Sequence, residues 1–165
     1  MQHSAIAQGG RSSRMDPASL FDTENVLVLA ERPGDAVRHC GDLIARLCRQ
    51  GRPPFVVVLT DGNAGGVAAD RDARAGLAQC GLAGGRLLMF GITGAVPGSG
   101  PLLEAAVRAL CFVSWRHDCN VLCAPAPAMP VARAAAAASG LGLVRTDRGQ
   151  YQLVQAPRRS ARETD

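Results

Sequence analysis

Asn25 to Gly41, NVLVLAERPGDAVRHCG, is the stretch that decides the fold. Its first half, Val26-Leu27-Val28-Leu29-Ala30, is an apolar run with β-branched Val at alternate positions, the pattern of a strand buried on both faces. Pro33-Gly34 then turns the chain, and Asp35 stands where a helix N-cap belongs. Beyond it Val37, Leu43, Ile44 and Leu47 recur at helical spacing. A strand that feeds a tight turn and then a helix sets Glu31 to Asp35 at the carboxyl end of the first strand of an α/β sheet. Open parallel sheets keep their chemistry at that end.

Working outward, the same alternation repeats. Phe55-Val56-Val57-Val58-Leu59 is a second buried strand that runs into the polar cluster Thr60-Asp61-Gly62-Asn63. Asp70 to Cys80 reads as a helix closed by Gly81, and Arg86 to Gly91 as a third strand. Leu102 to Trp115 has Leu103, Ala106, Val107 and Leu110 on one stripe, and Asn120 to Ala124 is a fourth strand. Val131 to Ser139 is an Ala-rich helix, and Leu141 to Thr146 with Tyr151 to Val154 forms either a closing hairpin or a single fifth strand. Strands alternating with helices imply βαβ units. The expected fold is a Rossmann-like three-layer α/β/α sandwich with a mostly parallel sheet of about five strands. Residues 1–24 read as a flexible arm, 25–156 as one domain and 157–165 as a frayed tail.

Composition narrows the function. The chain has 165 residues, enough for one domain with a substantial core, and 47% of them are hydrophobic. Its 18 basic residues are all Arg and give a formal charge of +4, but they are scattered rather than clustered. With only 4% aromatics, neither a basic patch nor a stacking platform for nucleic acid is expected. The six Cys form no C-x-x-C pair. Cys119 and Cys123 are expected on one face of a strand, as small buried hydrophobes rather than ligands. There is no signal-peptide core and no apolar run of membrane-spanning length, so a reduced cytoplasm and no membrane partner are expected.

The order of segments resembles the PIG-L/LmbE-like family of zinc-dependent de-N-acetylases, which act on N-acetylglucosamine-type sugars. Val26 to Gly41 is similar to that family's strand, A-H-P-D-D-E loop and C-G-G helix start. Val56 to Gly62 resembles its V-V-x-L-T-D-G strand end. Arg71 to Gly81 with Arg86-Leu87-Leu88 resembles its next helix and turn, and Trp115 to Pro125 its W-R-P-D-V-V-x-x-P segment. The likeness spans roughly residues 25 to 140.

The resemblance also implies a site, and here the chain departs from it. In the family a His and the second Asp of H-P-D-D bind zinc with a later His, and the first Asp is the general base. Three protein ligands leave one position open for a water whose pKa the metal lowers. This chain has Arg32 at the His position, Gly34 at the base position and Ala36 at the Glu, so only Asp35 remains, as a residual metal ligand or simply as an N-cap. The later loop reads Met129-Pro130-Val131-Ala132, without His. A homologue that has lost hydrolysis is therefore expected, with no catalytic residue intact and no cofactor. Arg32, Thr60, Asp61 and Gly62 could form a pocket for a small anionic or sugar ligand, Arg32 lying where a helix N-terminus favours anions. Otherwise Arg32 pairs with Glu31, Asp35 or Asp61. A partner such as an active paralogue or a second copy is the other retained role. The alternative is an active zinc hydrolase with displaced ligands, Asp35 and His39 four apart on one helix face and Asp61 from the neighbouring strand end. A third reading is an inert remnant with exposed apolar surface.

Overall fold

The computed structural model describes residues 17–62 and 66–158. The expectations for 1–16, for Asn63 and for most of the tail lie outside these residues. The sequence-derived alternation is present: β1 Val26–Ala30, α2 Asp35–Arg49, β2 Phe55–Thr60, α3 Gly66–Gln79, β3 Leu87–Ile92, α4 Pro101–Arg116, β4 Val121–Pro125, α5 Met129–Ser139, β5 Gly142–Asp147 and β6 Gln150–Gln155. One further helix, α1 Pro17–Thr23, precedes them.

The strands form one six-stranded sheet in the order β3-β2-β1-β4-β5-β6. Every pairing is parallel except β5 with β6, which is antiparallel. The closing segments are thus a hairpin, and the sheet has one strand more than expected. β1, β2 and β4 are buried along their whole lengths, as strands between two helical layers must be. The two faces divide the core. Leu27 and Leu29 of β1 join Leu110 and Val113 of α4 and Val131 and Ala135 of α5. Val26, Val28 and Ala30 join Leu20 and Phe21 of α1, Leu43, Ile44 and Leu47 of α2, and Leu77 of α3.

Two sequence expectations change here. The N-terminal arm does not extend to residue 24: α1 docks on the sheet, with Phe21 fully buried against Tyr151 of β6 at 5.0 Å, edge to face. Arg52 fastens it by donating to the carbonyls of Phe21, Asp22 and Glu24, the last of them at 2.6 Å. Those are the carbonyls a helix C-terminus leaves without partners. Cys119 and Cys123 are also not on one face. Cys119 precedes β4 and packs in the α4–α5 core, whereas Cys123 packs in the α2 core. Asp118 at φ 52 bends the chain just before the strand, so strict alternation does not reach back to Cys119. Both are nevertheless buried, as small hydrophobes.

Chain order reverses between β1 and its neighbours β2 and β4, so the topological switch point lies at the carboxyl ends of β1 and β4. The loop after β1 and the start of α5 meet there. No helix among the described residues is long and apolar enough to cross a membrane.

Candidate functional site

The β1–α2 loop is closed by its own backbone. Asp35 N–H donates to the Arg32 carbonyl at 3.1 Å, and Arg32 N–H donates back to Asp35 Oδ2 at 3.2 Å. This reciprocal pair corrects the N-cap reading. Gly34 is the N-cap residue, it makes no side-chain cap bond, and Asp35 is the first residue of α2 with its carboxylate turned back into the loop. Asp35 is 9% exposed, and its carboxylate is held near the positive end of a 15-residue helix.

The end of β2 is stitched to the same loop. Thr60 N–H and Thr60 Oγ1 both donate to the Glu31 carbonyl, each at 2.8 Å, and Gly62 N–H donates to Thr60 Oγ1 at 3.4 Å. Thr60 is 2% exposed. The hydroxyl proton of Thr60 is thus committed to the fold, not to a ligand. Asp61 N–H donates to the Ile92 carbonyl at 3.1 Å and ties in β3 as well. Gly62 has φ 78, and a Cβ there would lie 3.2 Å from Pro33 Cδ. Both the left-handed backbone and the close approach require glycine. Gly62→Ala should therefore cost about 1–2 kcal/mol, read as a lower urea midpoint with an unchanged m-value.

Arg32 is exposed at the rim of this loop. Among the described residues it forms no ion pair with Glu31 or Asp35; the ion pairs seen there are Arg74–Asp70 on α3 and Arg108–Glu104 on α4. Gly34, at the family's base position, is exposed with φ −83, and nothing lies within 4 Å of where a Cβ would stand. On the β4 side of the switch point the chain offers Ala128 and Met129, both buried in the apolar core.

The displaced metal set does not assemble. Among the described residues no three His, Cys, Asp or Glu side chains come together where they could hold a metal ion, so Asp35, His39 and Asp61 are not gathered into a site. His39 lies on the flank of α2 facing β5, where its carbonyl accepts the Thr146 hydroxyl at 3.1 Å. Its Nδ1 is sealed from solvent and has no hydrogen-bond partner among the described residues. A donor set of one engaged carboxylate, an arginine and a glycine does not fit zinc, which takes three protein ligands at a catalytic site.

His117 is exposed at the α4–β4 connection, as expected, and stacks on Phe55 at 4.0 Å. Partial burial first, then Arg116 and Arg86 nearby, push its pKa below the ordinary value. The cysteines are shifted the other way. Burial raises the Cys119 thiol to about 11, and it raises Cys48 and Cys80 as well. None of the three has the lowered pKa of a nucleophile.

Sequence reasoning missed one concave feature. A cleft of about 470 Å³ lies over α2, between α3 and the β5–β6 turn. Its walls include Arg38 and Arg148, which are distant in sequence, so no motif signals it.

No protein-family model matches the chain, and no curated protein matches it. Solved structures do. The conserved protein TT1542 from Thermus thermophilus superposes with a TM-score of 0.61 at 20% identity, over 77% of this chain and 68% of that one. The 4-carboxy-2-hydroxymuconate hydratase GalB from Pseudomonas putida gives 0.59 at 21% identity, over 81% and 63%. The N,N'-diacetylchitobiose deacetylase from Pyrococcus horikoshii, solved with its inhibitor MPG, gives 0.51 at 18% identity, over 67% and 44%. The chain therefore has the fold of the PIG-L/LmbE-type deacetylases and spans less than two thirds of the length of the latter two proteins. That fold carries a deacetylase and a hydratase alike, so it does not by itself select a reaction.

Proposed function

We propose that this protein is a non-hydrolytic homologue on the deacetylase fold, which binds a small anionic ligand at the carboxyl ends of β1 and β2. The reading rests on one observation above all: the single remaining carboxylate, Asp35, is spent on the Arg32 backbone N–H, while arginine and glycine occupy the other two loop positions. An exposed guanidinium beside the amino end of α2 favours a carboxylate or phosphate over a cation. GalB, which shares the fold, is by name the hydratase of a carboxylate, and this is in keeping with an anionic ligand.

Elemental analysis after exchange through a weak chelator and a zinc-replete buffer tests the first half. The expected content is below about a tenth of a zinc per chain, because the ligand count is short. About one zinc per chain, lost in Asp35→Ala, would sink the proposal and restore the displaced-ligand hydrolase. Malonate tests the second half. It should raise the melting temperature saturably at fixed ionic strength, and Arg32→Ala should abolish that rise. A rise that survives Arg32→Ala excludes this crevice as the site.

A further inference from the structure

The cleft over α2 lies outside the strand-end crevice, and Arg32, Asp35 and Asp61 are not among its walls. Its volume of about 470 Å³ falls within the range of small-ligand pockets. Its floor is low because α2 and α3 touch through small residues: a Cβ on Gly76 would lie 3.1 Å from Val37 Cγ2, and one on Gly41 would lie 3.9 Å from Cys80 Sγ. Arg38 rises from α2 on one side and Arg148 reaches in from the β5–β6 turn on the other, both exposed. Neither forms an ion pair among the described residues. Asp42 is the one carboxylate on the walls, so the cleft carries a net positive charge.

The turn supplies an independent sign. Asp147 pairs with Gln150, leaving a two-residue loop of Arg148 and Gly149, both at positive φ (45 and 83). Such a loop prefers Asn or Asp before the Gly. Arg is a poor occupant of a left-handed position, because its Cβ crowds the following carbonyl and its side chain makes no local compensating hydrogen bond. A backbone outlier of this kind is a pointer toward function. It sets a guanidinium over the cleft, where Asn would suit the turn better.

We propose that this cleft is a second binding site, for a small phosphate monoester whose phosphate is held between Arg38 and Arg148. Two planar guanidinium forks that line one cleft from separate elements suit a phosphate dianion. Asp42 accepts from hydroxyl groups on the remainder of the ligand, which excludes a bare polyanion such as nucleic acid backbone.

Inorganic phosphate and glycerol phosphate are the probes, titrated in thermal-shift experiments at ionic strength fixed with sodium chloride. The wild-type melting temperature should rise saturably with both, at lower concentration for glycerol phosphate. In Arg148→Asn the apparent affinity should fall about 10-fold or more, while the melting temperature without ligand stays at or above that of the wild type. Arg38→Ala should weaken binding similarly, and Arg32→Ala should leave it unchanged. No saturable rise in the wild type, or a rise retained in Arg148→Asn, overturns the proposal. Loss in Arg32→Ala alone overturns it too, and assigns phosphate to the strand-end crevice. A lower ligand-free melting temperature for Arg148→Asn overturns the strain argument.

Discussion

Phe21→Ala is expected to lower the free energy of unfolding by about 3–5 kcal/mol, the range for a fully buried aromatic reduced to a methyl. The ring is 0% exposed and closes the open end of the α2 core. It meets the Tyr151 ring at 5.0 Å, and the Arg46 guanidinium carbon lies 5.9 Å from its centroid. Truncation leaves a cavity bounded by α1, α2 and β6, and it strips Arg46 of a ring face although two of its nitrogens are already buried without partners among the described residues. The surroundings cannot collapse easily, since Arg52 pins the end of α1 from the other side. Urea unfolding followed by circular dichroism measures it: a large drop in midpoint with little change in m. Phe21→Leu, which keeps most of the volume, should cost much less. A loss below about 1 kcal/mol, the size of an ordinary surface change, would mean that α1 is not docked in solution.

α1 shows where local reading stops. A seven-residue helix anchored by Leu20 and Phe21 carries too little periodicity to announce itself, and its stabilising partners, Arg52 and Tyr151, lie far along the chain. By contrast, β1, β2 and β4 are apolar runs between helical patterns, and such runs have few other places to go than the centre of a parallel sheet. The candidate site divides in the same way. The loop after β1 and the Thr60-Asp61-Gly62 end of β2 were legible as a junction, because strand-turn-helix order locates the carboxyl edge. The tasks of their side chains were not. Thr60 looks like a ligand-binding hydroxyl until its bond to the Glu31 carbonyl is visible, and Asp35 looks like a cap until its carboxylate is found on Arg32 N–H. Such bonds depend on where a loop's carbonyls point, which composition and spacing do not encode. Arg148 is the extreme case, since its strain and its cleft both arise from the antiparallel return of β6.

Alkaline pH should unfold this protein earlier than its arginine-rich surface suggests. Burial holds the Cys119 thiol up at about 11 against an ordinary 9.0. Burial, with the neighbouring Cys123 and Cys40 thiols, holds the Tyr151 hydroxyl up at about 12 against 10.0. Cys123 is raised well above 9.0, first by its hydrogen bond with Cys40 across the α2–β4 contact and then by burial. In each case the folded state favours the neutral form. Below pH 9 both states keep these protons, so the full stability is present. From about pH 9 the unfolded chain releases thiol protons that the fold retains, and from about pH 10 the tyrosine proton follows. Stability must then fall as pH rises through the folded values, by up to about 1.4 kcal/mol per pH unit for each group inside its window. Tyr151 is only half-buried, so water screens part of its share. In a chain of this size each kcal/mol moves the melting temperature by about 2–4 °C, so the fall between pH 9 and 11 should be several degrees per unit. Melting curves in non-nucleophilic buffers, under reductant, measure it. Cys119→Ala removes one titration and Tyr151→Phe another, so each should flatten the limb in its own window, the first between pH 9 and 11 and the second between 10 and 12. A melting temperature level from pH 8 to 11 would mean that these groups ionise as readily folded as unfolded. The β4 and β6 packing described above could not then be what surrounds them.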